Sequence, residues 1–543
     1  MLGVAMGAGP TPGREISTNT VAAAERLADL EFTPREREMM LQPLRSLARN
    51  YQRLREVPLP NHIPPALVFN PAPAGFAMPI GEDSVVIAPR AHVPILERRE
   101  ELAFCSIPQL AALIRSGSIS SVELTQFFLG RLRRFGPKLE CVVTLMADSA
   151  LEEARAADAE LAAGKDRGLL HGIPYGAKDL LAAKGAPTTW GAATHTNQVI
   201  PFDATVVAKL REAGAVLVAK LTLGELAMGD VWFGGKTRSP WDLSKGSSGS
   251  SAGSSAATGA GLVPFAIGSE TWGSIVSPAA RCGITGLRPT FGSVSRFGAM
   301  TLSWSMDKIG PLARSAEDCA IVFHAIHGAD RLDPSTVAAP FRHQPRRNLA
   351  GLRIGWLKGE LERDPTQAKL LEPTLRLARE LGAELVPMEL PALPIGALSL
   401  ILGAEASAAF EEFSRLNLDD GLVQQHASAW PNQFRSSRLV TAVEYIQANR
   451  VRTLLIQQLA EKLNDLDLYI APAGSDNLLM NNLTGHPCVV FPNGMAGDSQ
   501  PASIMLVGKL HDEGGLLSAA QLFQEKGGWL AFRPPAYSGL AEP

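Results

Sequence analysis

The chain has 543 residues, 46% of them hydrophobic and 19% charged, with a formal net charge of −3. That length supports a large core and more than one typical domain. The near-neutral balance gives no electrostatic reason to expect nucleic acid or an anionic membrane as partner, and no uninterrupted apolar run approaches membrane-spanning length.

Five scattered cysteines (Cys105, Cys141, Cys282, Cys319, Cys488) include no CxxC pair. They indicate neither a disulfide framework nor a zinc site, and a reducing cytoplasm fits them. Met1 to Pro10 lacks a basic stretch ahead of its few apolar residues and reads as a poor signal peptide. Residues 1–57 form a helical extension, with two helices over 17–57. In the second, Thr33, Pro34 and Glu36 spell a capping box with Pro at the first helical position. Met40, Leu41, Leu44, Leu47 and Ala48 then recur at helical spacing.

From Pro58 to Pro94 the chain is Pro-rich and aperiodic, so residues 58–104 read as an extended strap. Its Ala66-Leu67-Val68-Phe69 run predicts that it lies along a surface. Ile107–Ile114 and Val122–Leu132 read as amphipathic helices, the second with Ser121 as cap, and an Ala-rich helix runs from Asp148 to Ala163. Short apolar strands follow at Ala215–Ala219, Val263–Ile267, Ile354–Trp356 and Leu468–Ala471, separated by helix-length segments. The pattern predicts an α/β fold over residues 105–535, with a large mixed or parallel sheet covered by helices on both faces. No repeat of solenoid length occurs.

The chemistry concentrates in two segments. Residues 244–289 crowd Ser and Gly around Ser247–Ser255, pass through a short apolar stretch, and reach a second turn, Glu270-Thr271-Trp272-Gly273-Ser274. A tight turn there would aim successive backbone N–H groups at one point, as an oxyanion hole requires, and Ser274 at its end could attack a carbonyl held in the hole. Serine needs a base. Lys178, in Pro174-Tyr175-Gly176-Ala177-Lys178-Asp179, has the apolar, small-residue setting in which burial makes a lysine neutral. A hydroxyl from the Ser cluster could relay the proton between them. Asp179 reads as structural, orienting the loop that carries Lys178.

These segments resemble the amidase signature family. The family's Gly/Ser signature aligns with Ser248-Gly249-Ser250-Ser251-Ala252-Gly253-Ser254-Ser255, and its second motif with Ser269-Glu270-Thr271-Trp272-Gly273-Ser274-Ile275-Val276. Gly261-Leu262-Val263-Pro264 fixes the register. Pro240-Trp241-Asp242, Gly286-Leu287-Arg288-Pro289 and Asn482-Leu483-Thr484-Gly485-His486-Pro487 match as well. The resemblance implies the family fold and a Ser–cis-Ser–Lys mechanism: Lys178 as base, Ser250 as relay after a cis peptide bond, and Ser274 as nucleophile. It also implies oxyanion N–H groups from Thr271, Trp272, Gly273 and Ser274, with Ser251 supporting the relay. No cofactor or metal is implied.

Four positions depart from the family pattern. Trp272 stands where Gly is usual and either shapes an acyl pocket, with Ala227 and Met228, or packs in the core. Glu270 replaces Asp as an acceptor, Val276 replaces Arg, and Ala252 replaces Gly. Trp272 and Val276 point to apolar or aryl substrates. Residues 17–57 and the strap also resemble the small helical subunit that wraps the amidase subunit of tRNA-dependent amidotransferases; an unrelated helical extension fits them equally.

Other motifs fare less well. Gly249-Ser250-Ser251-Ala252-Gly253 fits the nucleophile elbow of α/β-hydrolases, but that motif must follow a buried strand, and Trp241–Ser248 is polar. No Gly-Lys-Ser/Thr supports a phosphate loop. His171, His195 and His486 lack metal-ligand spacing and read as structural. Three functions compete: a free-standing hydrolase of amides, with esters or carbamates as further substrates; the glutaminase subunit of a tRNA-dependent amidotransferase; and a non-catalytic binding protein on the same fold. The first takes a small-molecule amide and is compatible with a homo-oligomer.

Overall fold

Leu468–Pro472 shows how the core is layered. All five residues are buried. Leu468 and Ile470 join one apolar cluster, while Tyr469 and Ala471 join another. A strand buried on both faces reads as a continuous apolar run and needs helices on both sides. The computed structural model, which describes residues 16–57, 59–87, 96–474, 476–497 and 500–537, has helices on both faces of its large sheet.

Eleven strands form one mixed sheet. In spatial order they are Glu384–Met388, Arg353–Leu357, Leu468–Pro472, Gln500–Gly508, Cys488–Ala496, Thr285–Arg288, Lys308–Ala313, Phe265–Glu270, Pro174–Lys178, Val216–Leu221 and Val142–Leu145. The pair Pro174–Lys178 and Phe265–Glu270 runs parallel, as do Pro174–Lys178 and Val216–Leu221. Lys308–Ala313 closes antiparallel on Phe265–Glu270. Helices Ala316–Ile326 and Glu513–Gly527 pack on one face, and Val276–Cys282 with Ala442–Leu463 on the other.

The strand expected at Val263–Ile267 begins at Phe265. Gly261 turns at φ +64°, and Pro264 has no N–H for a ladder, so the pairing starts only after it, two residues later than expected. Ser121 is not the cap of its helix. Ser120, with extended backbone, accepts the N–H of Glu123, and Glu123 returns to the Ser120 N–H. Ser121 begins the helix and donates its hydroxyl to the Gly172 carbonyl at 2.9 Å.

The two N-terminal helices are Thr18–Ala28 and Pro34–Arg55, and the second has the capping box of Thr33 and Glu36. Glu25 and Arg37 join them by an ion pair at 2.7 Å. The strap is docked as well as extended over 59–87. Ser84–Val85 pairs with Arg342–His343, Phe69 meets Phe291 edge to face, and the Asn61 side chain bonds the backbone of Thr301 and Ala409. Met1–Pro10, Pro58, Pro89 and Pro94 lie outside the described residues. All five cysteines are buried free thiols, and among the described residues no helix is long and apolar enough to cross a membrane.

Candidate active site

Lys178 ends a central strand rather than sitting in a loop. The strand packs closely on its neighbour: a Cβ on Gly176 would lie 2.2 Å from Leu221 Cδ1, so a larger residue there would have to displace the Leu221 side chain. Asp179, fully buried, holds the chain beyond the lysine. It pairs with Lys220 at 2.7 Å and accepts the Thr189 N–H at 2.9 Å.

The Ser/Gly run folds into a turn and a buried helix, Ala252–Gly259. Small residues are needed because the helix lies against the sheet backbone; a Cβ on Gly253 would be 2.4 Å from the Cys141 carbonyl. The preceding turn has Ser248 at φ +62° and a cis peptide bond between Gly249 and Ser250. A Cβ on Gly249 would be 1.8 Å from the Gly229 carbonyl oxygen, so only glycine fits there. The strand expected ahead of a nucleophile elbow is absent: Asp242–Gly246 is short, largely exposed, and paired only with Arg238–Ser239.

These elements meet at the Lys178 ammonium. Its Nζ lies 2.8 Å from Ser250 Oγ, 3.1 Å from Ser251 Oγ and 2.9 Å from Ser269 Oγ. The amine is shielded from solvent, since Lys178 and Ser251 have no exposed surface and Ser250 has 1%. Burial lowers the lysine to about 7, against the opposing pull of Asp307 and Glu270. Ser251 N–H donates to the Ser274 carbonyl at 3.1 Å, which brings the second turn beside the first. Ser269 is the third hydroxyl on the Lys178 amine, and the motifs attached no role to it. Ser251 Oγ donates to the Ser269 carbonyl at 3.0 Å.

The second turn is anchored from below by Glu270. One carboxylate oxygen accepts the N–H groups of Ile275 and Val276 at 2.8 and 2.9 Å. The other accepts from Arg288 and Asn482, each at 2.8 Å. Burial alone would push this carboxyl up, but Arg288 and the N–H donors outweigh it and hold it at about 2. The matches at Arg288 and Asn482 thus converge on one buried carboxylate. Gly273 passes through φ +85°, a conformation that suits glycine. Among the described residues, none accepts a hydrogen bond from the N–H of Thr271, Trp272 or Gly273.

A small cavity opens beside the cluster. Leu180, Ala227, Met300, Leu302 and Ile309 supply apolar walls, and Ser269, Thr271 and Asp307 a polar one. Ala227 stands among these walls; Met228 and Trp272 do not. Trp272 is 44% exposed, which removes core packing as its role. Val276 is fully buried. Asp307 is committed: it accepts from the Thr271 hydroxyl at 2.5 Å and from the N–H groups of Leu302 and Ser303. Arg296 also reaches the cavity, but its guanidinium is bound to Asp333, Ser335 and the Trp304 carbonyl.

The three histidines near motifs are packed into the fold. His171 accepts the Arg167 N–H, His195 stacks on Trp190 and Phe413, and His486 bonds the Thr484 hydroxyl.

The family model described as Amidase matches residues 123–482. A glutamyl-tRNA(Gln) amidotransferase subunit of Dechloromonas aromatica is 34% identical over 480 residues, covering 79% of this chain and 98% of that one. Native peptide amidase from Stenotrophomonas maltophilia matches with a TM-score of 0.71 at 31% identity, over 81% of this chain and 99% of that one. The corresponding glutamyl-tRNA(Gln) amidotransferase subunit from Thermotoga maritima matches with a TM-score of 0.66 at 27% identity, over 78% and 95%. The family match over residues 123–482, the identity along most of the chain and the mixed sheet found again in these structures show that this chain belongs to the amidase signature family.

Proposed function

We propose that the chain is a free-standing amidohydrolase that cleaves the C–N bond of a small-molecule carboxylic amide. The observation that carries this reading is the 2.8 Å contact between Ser250 and a lysine brought to about 7 by burial. Near neutral pH such an amine is substantially unprotonated and accepts a proton. In the proposed cycle Lys178 takes the proton of Ser250, which takes that of Ser274. Ser274 Oγ attacks the carbonyl carbon, and the negative oxygen that forms is held by the N–H groups of Thr271, Trp272, Gly273 and Ser274. The C–N bond breaks as the relayed proton reaches the leaving amine. Water then adds to the acyl-enzyme and releases the acid by the same relay in reverse. Ser251 and Ser269 fix the lysine.

The cavity walls support an apolar acyl or aryl group. The one cation among the residues lining that cavity is Arg296, already bound to Asp333, so no free positive charge is placed there for a carboxylate. This favours simple amides over glutamine. The relatives named as amidotransferase subunits support a second reading, a glutaminase subunit working inside an assembly. Purified wild type and Ser274→Ala, assayed on an anilide, a primary aliphatic amide, glutamine and an aryl carbamate, separate the two. Turnover of the anilide or carbamate, lost in the variant, supports the hydrolase; turnover of glutamine alone, or only with a partner, transfers the assignment.

Two further results are expected. kcat/KM should rise with pH through an apparent pKa of about 7, because the neutral lysine is the active form. A flat pH–rate profile from about pH 5.5 to about 8.5 would remove Lys178 as the base. Trp272→Ala should alter the preference between bulky and small acyl groups while changing stability by less than ~0.5 kcal/mol, since the side chain is half exposed. Unchanged selectivity across an acyl series would take Trp272 out of substrate recognition.

A further inference from the structure

On the strap side of the molecule the helix Ala316–Ile326 ends with two imidazoles. His324 lies in its last turn and His327 is its C-cap. Three residues apart, they share a face of the helix, with ring centroids 5.9 Å apart. A carboxylate meets them from 244 residues earlier than His327. Asp83 Oδ2 is 3.0 Å from His327 Nε2 and 3.7 Å from His324 Nδ1. One donor atom from each of the three residues lies within 4.8 Å of the other two.

The carboxylate is held in place for this contact. Asp83 Oδ1 accepts the N–H of Phe341 at 2.8 Å, which leaves Oδ2 turned to the imidazoles. Ser84 and Val85 pair with Arg342 and His343 directly after it, so the strap cannot slide along the body. The nearby Lys209 ammonium is turned to the carbonyls of Ile326, His327 and Gly328 at the helix end. A simple ion pair would need one imidazole on one oxygen; here two imidazoles face the same oxygen. The side chains of His324 and Asp83 are 46% and 37% exposed, against 10% for His327, so an ion can reach the site from solvent and keep a water.

We propose that Asp83, His324 and His327 bind a divalent transition-metal ion of the zinc class, clipping the strap to the body. Two imidazole nitrogens and one carboxylate oxygen suit Zn²⁺, Co²⁺ or Ni²⁺ in preference to Ca²⁺ or Mg²⁺, which take oxygen ligands. The Phe341 N–H orients the ligating carboxylate, as outer-shell partners do. The clip has a route to the active-site cavity, because Asn61 of the same strap bonds the backbone of Thr301, a residue of the cavity wall.

The test uses the full chain, stripped with a chelator and titrated with Co²⁺ by absorption and with Zn²⁺ by calorimetry. One saturable equivalent is expected, with affinity reduced about tenfold or more in His324→Gln and lost in His327→Gln or Asp83→Asn. Zn²⁺ should also slow proteolytic cutting within residues 59–87 of wild type but not of His324→Gln. Far-UV circular dichroism and urea unfolding serve as the folding control, and the half-exposed His324 keeps the test decisive should His327→Gln misfold. Absence of saturable binding to wild type, or equal stoichiometry and affinity in His324→Gln, overturns the site. Since the readout is metal binding, its failure is distinct from failure of the hydrolase assignment.

Discussion

Ser274→Ala and Lys178→Ala should each lower kcat/KM for the best amide substrate by about 10⁴-fold or more, because nucleophile and base act as one unit. Their double variant should be no worse than either alone, as groups that work in a single proton relay are not additive. Ser250→Ala should retain a trace of activity, since Lys178 remains buried beside Ser251 and Ser269. All three variants should fold, for Ser274→Ala and Ser250→Ala remove one hydroxyl each and Lys178→Ala leaves behind the hydroxyls of Ser250, Ser251 and Ser269. Single-turnover kinetics with an activated ester would place the loss. In Ser274→Ala no acyl-enzyme should form. Normal rates in Ser274→Ala or Lys178→Ala would refute the mechanism.

The second large effect lies beneath the site. Glu270→Leu should destabilise the fold by about 3–5 kcal/mol, because it leaves Arg288 charged, fully buried and unpaired. It should also impair hydrolysis, since the N–H groups of Ile275 and Val276 lose the acceptor that fixes the turn carrying Ser274. Adding Arg288→Met should recover much of the stability but not the activity. The same carboxylate gives acid lability its direction. Held at about 2 in the fold against an ordinary value of 4.5, it contributes stability fully present above 4.5, and that contribution is lost as pH falls toward 2. Urea unfolding at neutral pH and at pH ~3.5 reads both effects. A loss below about 1 kcal/mol in Glu270→Leu would show that the buried pair is replaceable.

What could be read from the sequence divides along a physical line. Lys178, Ser250, Ser251 and Ser274 lie in segments where residue type and order carry the information, and the fold brings Lys178, Ser250 and Ser251 to within 3.1 Å and Ser274 alongside. The apolar strands were legible for a similar reason, as Leu468–Pro472 needs only its own composition to declare itself buried. Pro174–Lys178 was harder, because Gly, Ala and a charged residue imitate a loop; its pairing with two neighbours, visible only in three dimensions, makes it a strand. Ser269, on Phe265–Glu270, lies inside the second motif without a role attached to it, and Asp307, just before the antiparallel partner Lys308–Ala313, is marked by no local pattern. The spacing of His324 and His327 was present in the sequence, but Asp83, the residue that gives it meaning, stands in the strap.

The parallel register that joins Pro174–Lys178 to Phe265–Glu270 has a consequence for how this protein could change. Lys178 and Ser269 sit on paired central strands, whereas most of the apolar cavity wall comes from Ala299, Met300, Leu302 and Ala227. The polar wall, Ser269 and Thr271, belongs to the reacting elements, but this apolar part stands apart from them. Substitutions in 296–302 or at Ala227 can reshape what is accepted without disturbing how it is cut, and a directed-evolution library for new amides belongs there.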